Sequence, residues 1–274
     1  MKNLKIEETG MEPAEALQKA GADYQVRLAP LFAQLQPGEF NGIKAVPTHK
    51  LSYALRPDGT ERRFGIVGSG YVPVDNLACL QAFDALRTDY GYTLRFVGHV
   101  SRGIVAIYRQ SEVEIVPGDP VGRDIVISTD HGGRGPVRAA VTTVRHLCTN
   151  VLYSISRNAL VDLRMRHTTN VQAKIIASAA QISTLVTGHT EMIEQFKLLA
   201  SRPFRQESLE SYLDKVVGLV DSKNPMGAGR QKKRRQDALQ FILEGAGNAR
   251  GGTNGTWWGA FNGATEWIEE TTTP

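Results

Sequence analysis

The apolar pattern of this chain changes its period near residue 144. Before that point, Val137, Ala139 and Val141 alternate with other residues, a period of two that is typical of a half-buried strand. Beyond it, the apolar residues recur at helical spacing: they are Val144, Cys148, Val151, Leu152, Ile155 and Ala159. A fold for this chain must therefore let a strand lead into a helix here, and Thr143 is a suitable N-cap.

Most of the chain before this junction is predicted to form strands. The clearest candidates combine β-branched residues with nearby turn signals: they are residues 92–100, 103–110, 111–116 and 123–129. A strand over residues 23–35 is expected to break at Pro30, because proline cannot donate a backbone hydrogen bond. A short helix over residues 12–22 and a helix starting at Asn76 accompany these strands.

The chain after the junction is predicted to be helical. Residues 171–199 have one long apolar helical pattern, which Gly188 interrupts or kinks. Further helices are predicted over residues 207–219, 238–243 and 256–270. We therefore predict an α+β protein in which a β-rich N-terminal half, an antiparallel sheet with one helix, packs against a helical C-terminal half. Residues 1–47 would form an arm, and residues 48–143 and 144–274 one continuous domain.

The composition suits a soluble protein of the cytoplasm. Only Cys79 and Cys148 are present, too few for a disulfide framework or a four-thiolate zinc site. The charged N-terminus lacks the apolar core of a signal peptide, and no apolar run is long enough to cross a membrane.

Positive charge is concentrated around the junction. Residues 134–174 contain seven Lys or Arg and one acid, Asp162, in a chain whose net charge is +4. These seven are the predicted phosphate contacts: Arg134, Arg138, Arg145, Arg157, Arg164, Arg166 and Lys174. Asn150 and His131 are predicted to shape the same nucleic-acid groove. The alternative is an ordinary solvated face of a helix.

Other residues extend this hypothesis. A second basic run spans residues 230–235, although such runs are often only solvated surface. Aromatic candidates for stacking on bases are Tyr71, Tyr90, Tyr92, Tyr108, Trp257 and Trp258, with the two tryptophans favoured as packing residues.

Catalytic and cofactor signals are weak. The six histidines show no metal-binding spacing. Asp130 and His131 could meet His167 as metal ligands or as a general base, but turn and packing roles are the favoured interpretation. The glycines of residues 65–70 and 245–247 lack the context of a phosphate-binding loop. We predict no metal and no cofactor, and we favour a protein that is not an enzyme.

Six segments, in order, resemble a known family. They are AGADYQVRLAPLF (20–32), GIVGSGYVPVDN (65–76), DHGGRGPVR (130–138), VRHLCTNVL (144–152), MRHTTNV (165–171) and GTWWGAFNGATEWIEE (255–270). The set resembles the phage- and plasmid-like family filed as domain of unknown function 932. Tyr24 stands where the family usually has Trp. The resemblance implies a mobile-element origin and, if the protein is phage-encoded, the host cytoplasm.

Three functional classes fit these observations. The favoured one is a nucleic-acid-binding protein for phage or plasmid replication or recombination. Single-stranded DNA is the favoured ligand, and the more specific hypothesis is a single-strand annealing protein that assembles into a ring or filament. The alternatives are a metal-dependent or His/Asp-based enzyme acting on nucleic acid, and a non-enzymatic structural or regulatory phage protein.

Overall fold

The protein has an α+β fold with antiparallel sheets in its N-terminal half and helices in its C-terminal half, which confirms the predicted class. A computed structural model describes residues 3–5, 10–34, 43–56, 59–144, 162–221, 227–246 and 253–272. These residues form two compact units. The first takes its residues from Met1–Ser111, Gly122–Val144 and Val151–His189, and the second from Glu112–Val121, Arg145–Asn150 and Thr190–Pro274.

A six-stranded sheet organises the first unit. Its strands are β1 (Asn3–Lys5), β5 (Thr93–Val100), β6 (Gly103–Glu114), β7 (Pro120–Asp130), β8 (Val137–Val144) and β9 (Asp162–Met165), hydrogen-bonded in that order. Three consecutive residues of β6 are buried: Ile104, Val105 and Ala106. Consecutive residues of a strand point to opposite faces, so a central strand that is covered on both faces is apolar on both. The two strands predicted over residues 103–110 and 111–116 form the single strand β6, and β7 begins three residues before its predicted start at residue 123. The residues that connect β6 to β7 belong to the second unit.

Helices of the first unit supply much of its core. They are α1 (Pro13–Ala20), α2 (Asn76–Ala82), α3 (Ala85–Thr88) and α4 (Val171–Ala179). Asp75 caps α2 by accepting a hydrogen bond from the Ala78 amide at 2.8 Å. α1 ends at Gly21, whose φ of 65° is the left-handed conformation that glycine adopts readily. Leu80 of α2 is completely buried, and burying a leucine side chain contributes roughly 1.5–3 kcal/mol.

A separate three-stranded sheet consists of β2 (Val26–Gln34), β3 (Ile43–Leu55) and β4 (Glu61–Gly68), in that order and antiparallel. The expected break at Pro30 does not occur. β2 continues through Pro30 with a shift of register before Leu31. β2 is an edge strand, and an edge tolerates proline because one side of its backbone needs no partner.

The long helical pattern of residues 171–199 forms two helices. α4 ends at Ala179 and α5 (Ile182–Ser201) begins after a turn at Ala180 and Gln181. Gly188, where an interruption was expected, lies buried inside α5. The boundary between the two units falls within α5, after His189.

The second unit is built on helices α6 (Gln206–Asp221), α7 (Ala228–Glu244) and α8 (Trp257–Thr272). Their shared core includes nine buried residues: Leu209, Leu213, Val216, Val217, Ala238, Ile242, Ala260, Ala264 and Trp267. α7 and α8 approach closely, since a Cβ on Gly263 would collide with the carbonyl oxygen of Phe241. α7 begins earlier than predicted and includes the basic run.

Candidate nucleic-acid interface

Two of the predicted phosphate contacts lie side by side on neighbouring strands. Arg138 of β8 pairs in register with Arg164 of β9. The carboxylate of Asp162 binds both: one oxygen is 2.6 Å from the Nε of Arg138, and the other is 2.6 Å from the Nε of Arg164. The side chain of Arg138 is 15% exposed and that of Arg164 is 59% exposed. One acid therefore orients two guanidinium groups.

Three more of the predicted cations lie outside these two strands. Val137 pairs with Met165, so Arg134, which precedes β8, and Arg166, which follows β9, extend from the same end of the strand pair. Both side chains are exposed. Lys174, in the first turn of α4, donates from its Nζ to the hydroxyl of Thr168 at 3.0 Å. We refer to Arg134, Arg138, Arg164, Arg166 and Lys174 as the cationic strip.

The remaining predicted contacts of this segment lie outside the described residues. They are Arg145, Asn150 and Arg157, together with the central helix predicted to carry them.

His131 is in the core of the first unit. Its Nε2 lies 2.9 Å from the Oδ1 of Asn76 and 3.2 Å from the hydroxyl of Thr129. Because the Nδ2 of Asn76 donates to the carbonyl of Ala22, its Oδ1 is the acceptor and the His131 Nε2 carries the proton. Burial lowers the pKa of His131 to about 3, so the ring is neutral at pH 7. Because the ring of His131 is completely buried, it can shape a surface groove only indirectly, through the residues that pack against it.

Asp130 and His167, the other candidates for a metal site or a general base, also stabilise local structure. The Oδ1 of Asp130 accepts the amide of Gly132 at 2.7 Å, which closes the turn after β7. The Nδ1 of His167 donates to the carbonyl of Val72 at 3.1 Å, and its ring stacks on Tyr71. Burial lowers the pKa of His167. Within the described ranges, no group of three or more His, Cys, Asp and Glu side chains is placed to hold a metal ion.

Close backbone packing accounts for Gly65 of β4, whereas a Cβ on Gly68 would meet nothing within 4 Å. A Cβ on Gly65 would lie 3.2 Å from the carbonyl oxygen of Gly132, so this glycine lets the turn after β7 approach the strand. Gly245 follows α7, and a Cβ there would lie 2.5 Å from the carbonyl oxygen of Phe241.

Most of the aromatic residues considered as stacking surfaces are interior. Tyr71, Tyr92, Tyr108 and Trp258 are all buried. Trp258 donates from its indole nitrogen to the Oδ2 of the buried Asp119 at 2.7 Å. Tyr90 and Trp257 are partly exposed.

The second basic run forms the first turns of α7, in the second unit. Arg230, Lys232 and Lys233 are exposed. Arg234 lies over the ring of Trp267, with its guanidinium carbon 5.7 Å from the ring centroid, and Arg235 lies 3.0 Å from the carboxylate of Asp214. The last two arginines thus also hold the helices together.

The structure reveals a third arrangement of cations and an aromatic ring. On the three-stranded sheet, Tyr53 of β3 pairs with Arg27 of β2 on one side and with Arg63 of β4 on the other. The alternating pattern of each strand is visible in the sequence. The register that brings these three residues into one row is not, because it depends on bulges in two strands.

The comparisons with known proteins agree with the motif resemblance. None of the helices in the described ranges is both long and apolar enough to cross a membrane. No curated protein and no solved structure matches the chain. One family model matches residues 63–273, which contain five of the six motif segments, and the segment at residues 20–32 precedes this range. The chain therefore belongs to the family described as Domain of unknown function (DUF932).

Proposed function

We propose that this protein binds nucleic acid through the cationic strip, with single-stranded DNA as the favoured ligand. The observation that carries the proposal is the pairing of Arg138 with Arg164 on adjacent strands, with exposed Arg134 and Arg166 beyond the same end. Asp162 is the single acid among residues 134–174. A surface with this excess of positive charge attracts the phosphate backbone of a nucleic acid.

The chemistry of these side chains favours backbone contacts. Guanidinium groups form paired hydrogen bonds to phosphate oxygens, and Asp162 holds two of them in fixed positions. Contacts to phosphates position a strand without reading its sequence. A strand held in this way keeps its base edges available for a complementary strand. Annealing of single strands during phage or plasmid replication or recombination is the specific role that we propose.

Fluorescence anisotropy with a labelled (dT)20 oligonucleotide, titrated at several salt concentrations beside a duplex of equal length, tests this proposal. We expect tighter binding to the single strand and an affinity that falls steeply as salt rises. Absence of binding at low salt, or a preference for the duplex, would overturn the proposal for single strands.

Substitutions of exposed residues test the assignment of the strip. Arg134→Ala and Arg166→Ala should each reduce the slope of log affinity against log salt by about 0.7, the value for one phosphate contact on a single strand. Lys197→Ala is the matched control, because it removes the same charge from an exposed ion pair with Glu194. Equal slopes in all three variants would assign the binding to another surface.

A further inference from the structure

One face of the three-stranded sheet carries two rows of side chains. Arg27, Arg63 and Ile66 are exposed, and Tyr53, Leu51 and Ala29 are partly exposed. The first row is Arg27, Tyr53 and Arg63, and the second is Ala29, Leu51 and Ile66, each containing one residue from β2, β3 and β4 in register. Because residues paired across strands point to the same face, these six side chains share one surface. We call it the outer face.

Burial distinguishes the two faces of this sheet. Ser52 and Ala54, which alternate with Tyr53 along β3, are completely buried, as is most of Phe64 on β4. On the outer face, the side chain of Arg63 is 72% exposed and Ile66 is 60% exposed. A buried inner face fixes the register, since a slip of one residue would exchange the two faces. The position of Tyr53 between two arginines is therefore well determined.

An open pocket adjoins the Arg27 end of the first row. It has a volume of about 350 Å³ and is lined by Asp23, Tyr24, Gln25, Arg27, Leu55 and Arg56. Arg56 thus adds a third guanidinium group near the outer face. Among the described residues, the nearby acids are Asp23, in the pocket, and Glu61, whose carboxylate is 3.2 Å from the Nε of Arg63. The Arg63–Glu61 pair is largely exposed, and such pairs contribute little stability and separate readily.

We propose that the outer face is a second contact surface for the nucleic-acid strand, with a base stacked on Tyr53 and the flanking phosphates bound by Arg27 and Arg63. The inference rests on the proposed function. Its basis is complementarity: the row presents cation, aromatic ring and cation, and a single strand presents phosphate, base and phosphate. Paired residues on adjacent strands have Cβ atoms about 5 Å apart. The long side chains of Arg27 and Arg63, on either side of Tyr53, can therefore reach the two phosphates that flank a base stacked on the ring.

The role proposed for Tyr53 differs from that of the cationic strip. The strip contacts the backbone and is indifferent to the bases, whereas a stacked ring contributes only when a base is present. The decisive comparison is therefore between (dT)20 and a 20-mer of abasic sites, which has the same phosphates and no bases.

Anisotropy titrations with these two oligonucleotides provide the test. Tyr53→Ala should weaken binding of (dT)20 about tenfold, within the range measured for loss of one base–aromatic stack, and leave binding of the abasic strand unchanged. Tyr53→Phe, which keeps the ring, should restore wild-type affinity. Phe261→Ala is the control, because Phe261 is an exposed aromatic residue on α8, outside this sheet; we expect no change from it.

A second variant keeps the test decisive if Tyr53→Ala does not fold. Arg63 is exposed, so Arg63→Ala should fold normally and reduce the salt slope by about 0.7. Wild-type affinity and slope in Arg63→Ala would then overturn the inference.

The remaining outcomes separate this inference from the proposed function. If wild type binds neither oligonucleotide, the proposed function fails and this inference fails with it. If wild type binds and Tyr53→Ala affects both strands equally, or neither, the inference is overturned while the strip stands. In the absence of nucleic acid, Tyr53→Ala or Ile66→Asp could convert an oligomer into monomers. That result would identify the outer face as a contact between copies of the protein, and it would also overturn the inference.

Discussion

Asn76 joins three parts of the first unit through one side chain. Its Nδ2 donates to the carbonyl of Ala22, after α1, and its Oδ1 accepts from the Nε2 of His131, after β7. Asn76 itself is the first residue of α2 and is 1% exposed. Buried polar groups of this kind stabilise a fold when each has a partner, and destabilise it when one partner is removed.

Asn76→Ala is expected to lower the free energy of unfolding by about 3 kcal/mol, because it removes two buried hydrogen bonds and leaves a carbonyl and an imidazole N–H short of partners. Urea unfolding measures the change. Asn170→Ala is the matched control: Asn170 is exposed and its side chain makes no capping bond, so a change below about 0.5 kcal/mol is expected. Similar values for the two variants would contradict the structural role of Asn76.

At the scale of elements, β8 and β9 are joined by charge as well as by backbone pairing. Asp162 holds Arg138 and Arg164 on one surface, and in doing so it competes with any phosphate for the same donors. Its effect on binding is therefore opposite to that of the arginines.

Asp162→Asn should strengthen binding of (dT)20 about fivefold at low salt, because it removes a negative charge and releases the exposed guanidinium of Arg164 from an ion pair worth about 1 kcal/mol. Anisotropy at fixed salt measures this change. Glu15→Gln, which releases Lys19 from an exposed pair on α1, removes the same charge elsewhere and should have little effect. Weaker binding in Asp162→Asn would show that orientation of the arginines matters more than competition.

Elements with strong periodicity were predictable from the sequence. The paired strands β5 and β6 and the helices α6 and α8 lie close to their predicted positions, because each has an uninterrupted apolar pattern bounded by turn residues. The pattern of residues 171–199 predicted one long helix, kinked or interrupted at Gly188, whereas the structure has two helices that separate at Ala180 and Gln181. Gly188 is a local signal that the packing of a buried helix overrides.

The candidate site was predictable only in part. The excess of charge in residues 134–174 is a property of the sequence, and so is the predicted set of cations. Which of them become neighbours depends on the pairing of β8 with β9, across residues distant in the chain. The row of Arg27, Tyr53 and Arg63 depends on register shifts at Pro30 and at Ser52. Pro30 indicated an irregularity in β2 but not the size of the shift, and no local pattern indicates the shift at Ser52.

For the molecule as a whole, buried histidines link stability to pH. Burial lowers the pKa of both His131 and His189 from 6.5 to about 3. The neighbouring charges lower these pKa values further: His167 and Arg62 act on His131, and Arg123 acts on His189. Between pH 6.5 and pH 3 the unfolded chain binds protons that the folded chain does not. Stability is thus greatest above pH 6.5 and is lost as pH falls.

From pH 7 to pH 5, a range in which most carboxylates remain ionised, the free energy of unfolding is expected to fall by about 4 kcal/mol, about half of it from each of the two histidines. Urea unfolding at pH 7, 6 and 5 measures the dependence. The double variant His131→Gln, His189→Gln should show a flatter dependence over the same range. An equally steep dependence in this variant would assign the effect to other groups.

The outermost strands of the six-stranded sheet are short, at three residues for β1 and four for β9. β9 also bears two charged side chains, Asp162 and Arg164. A foreign strand that docks on such an edge gains few backbone bonds and must desolvate charge, so the sheet is a poor template for amyloid-like growth. If several copies lie side by side on a DNA strand, as the proposed annealing role requires, such edges would limit aggregation between them.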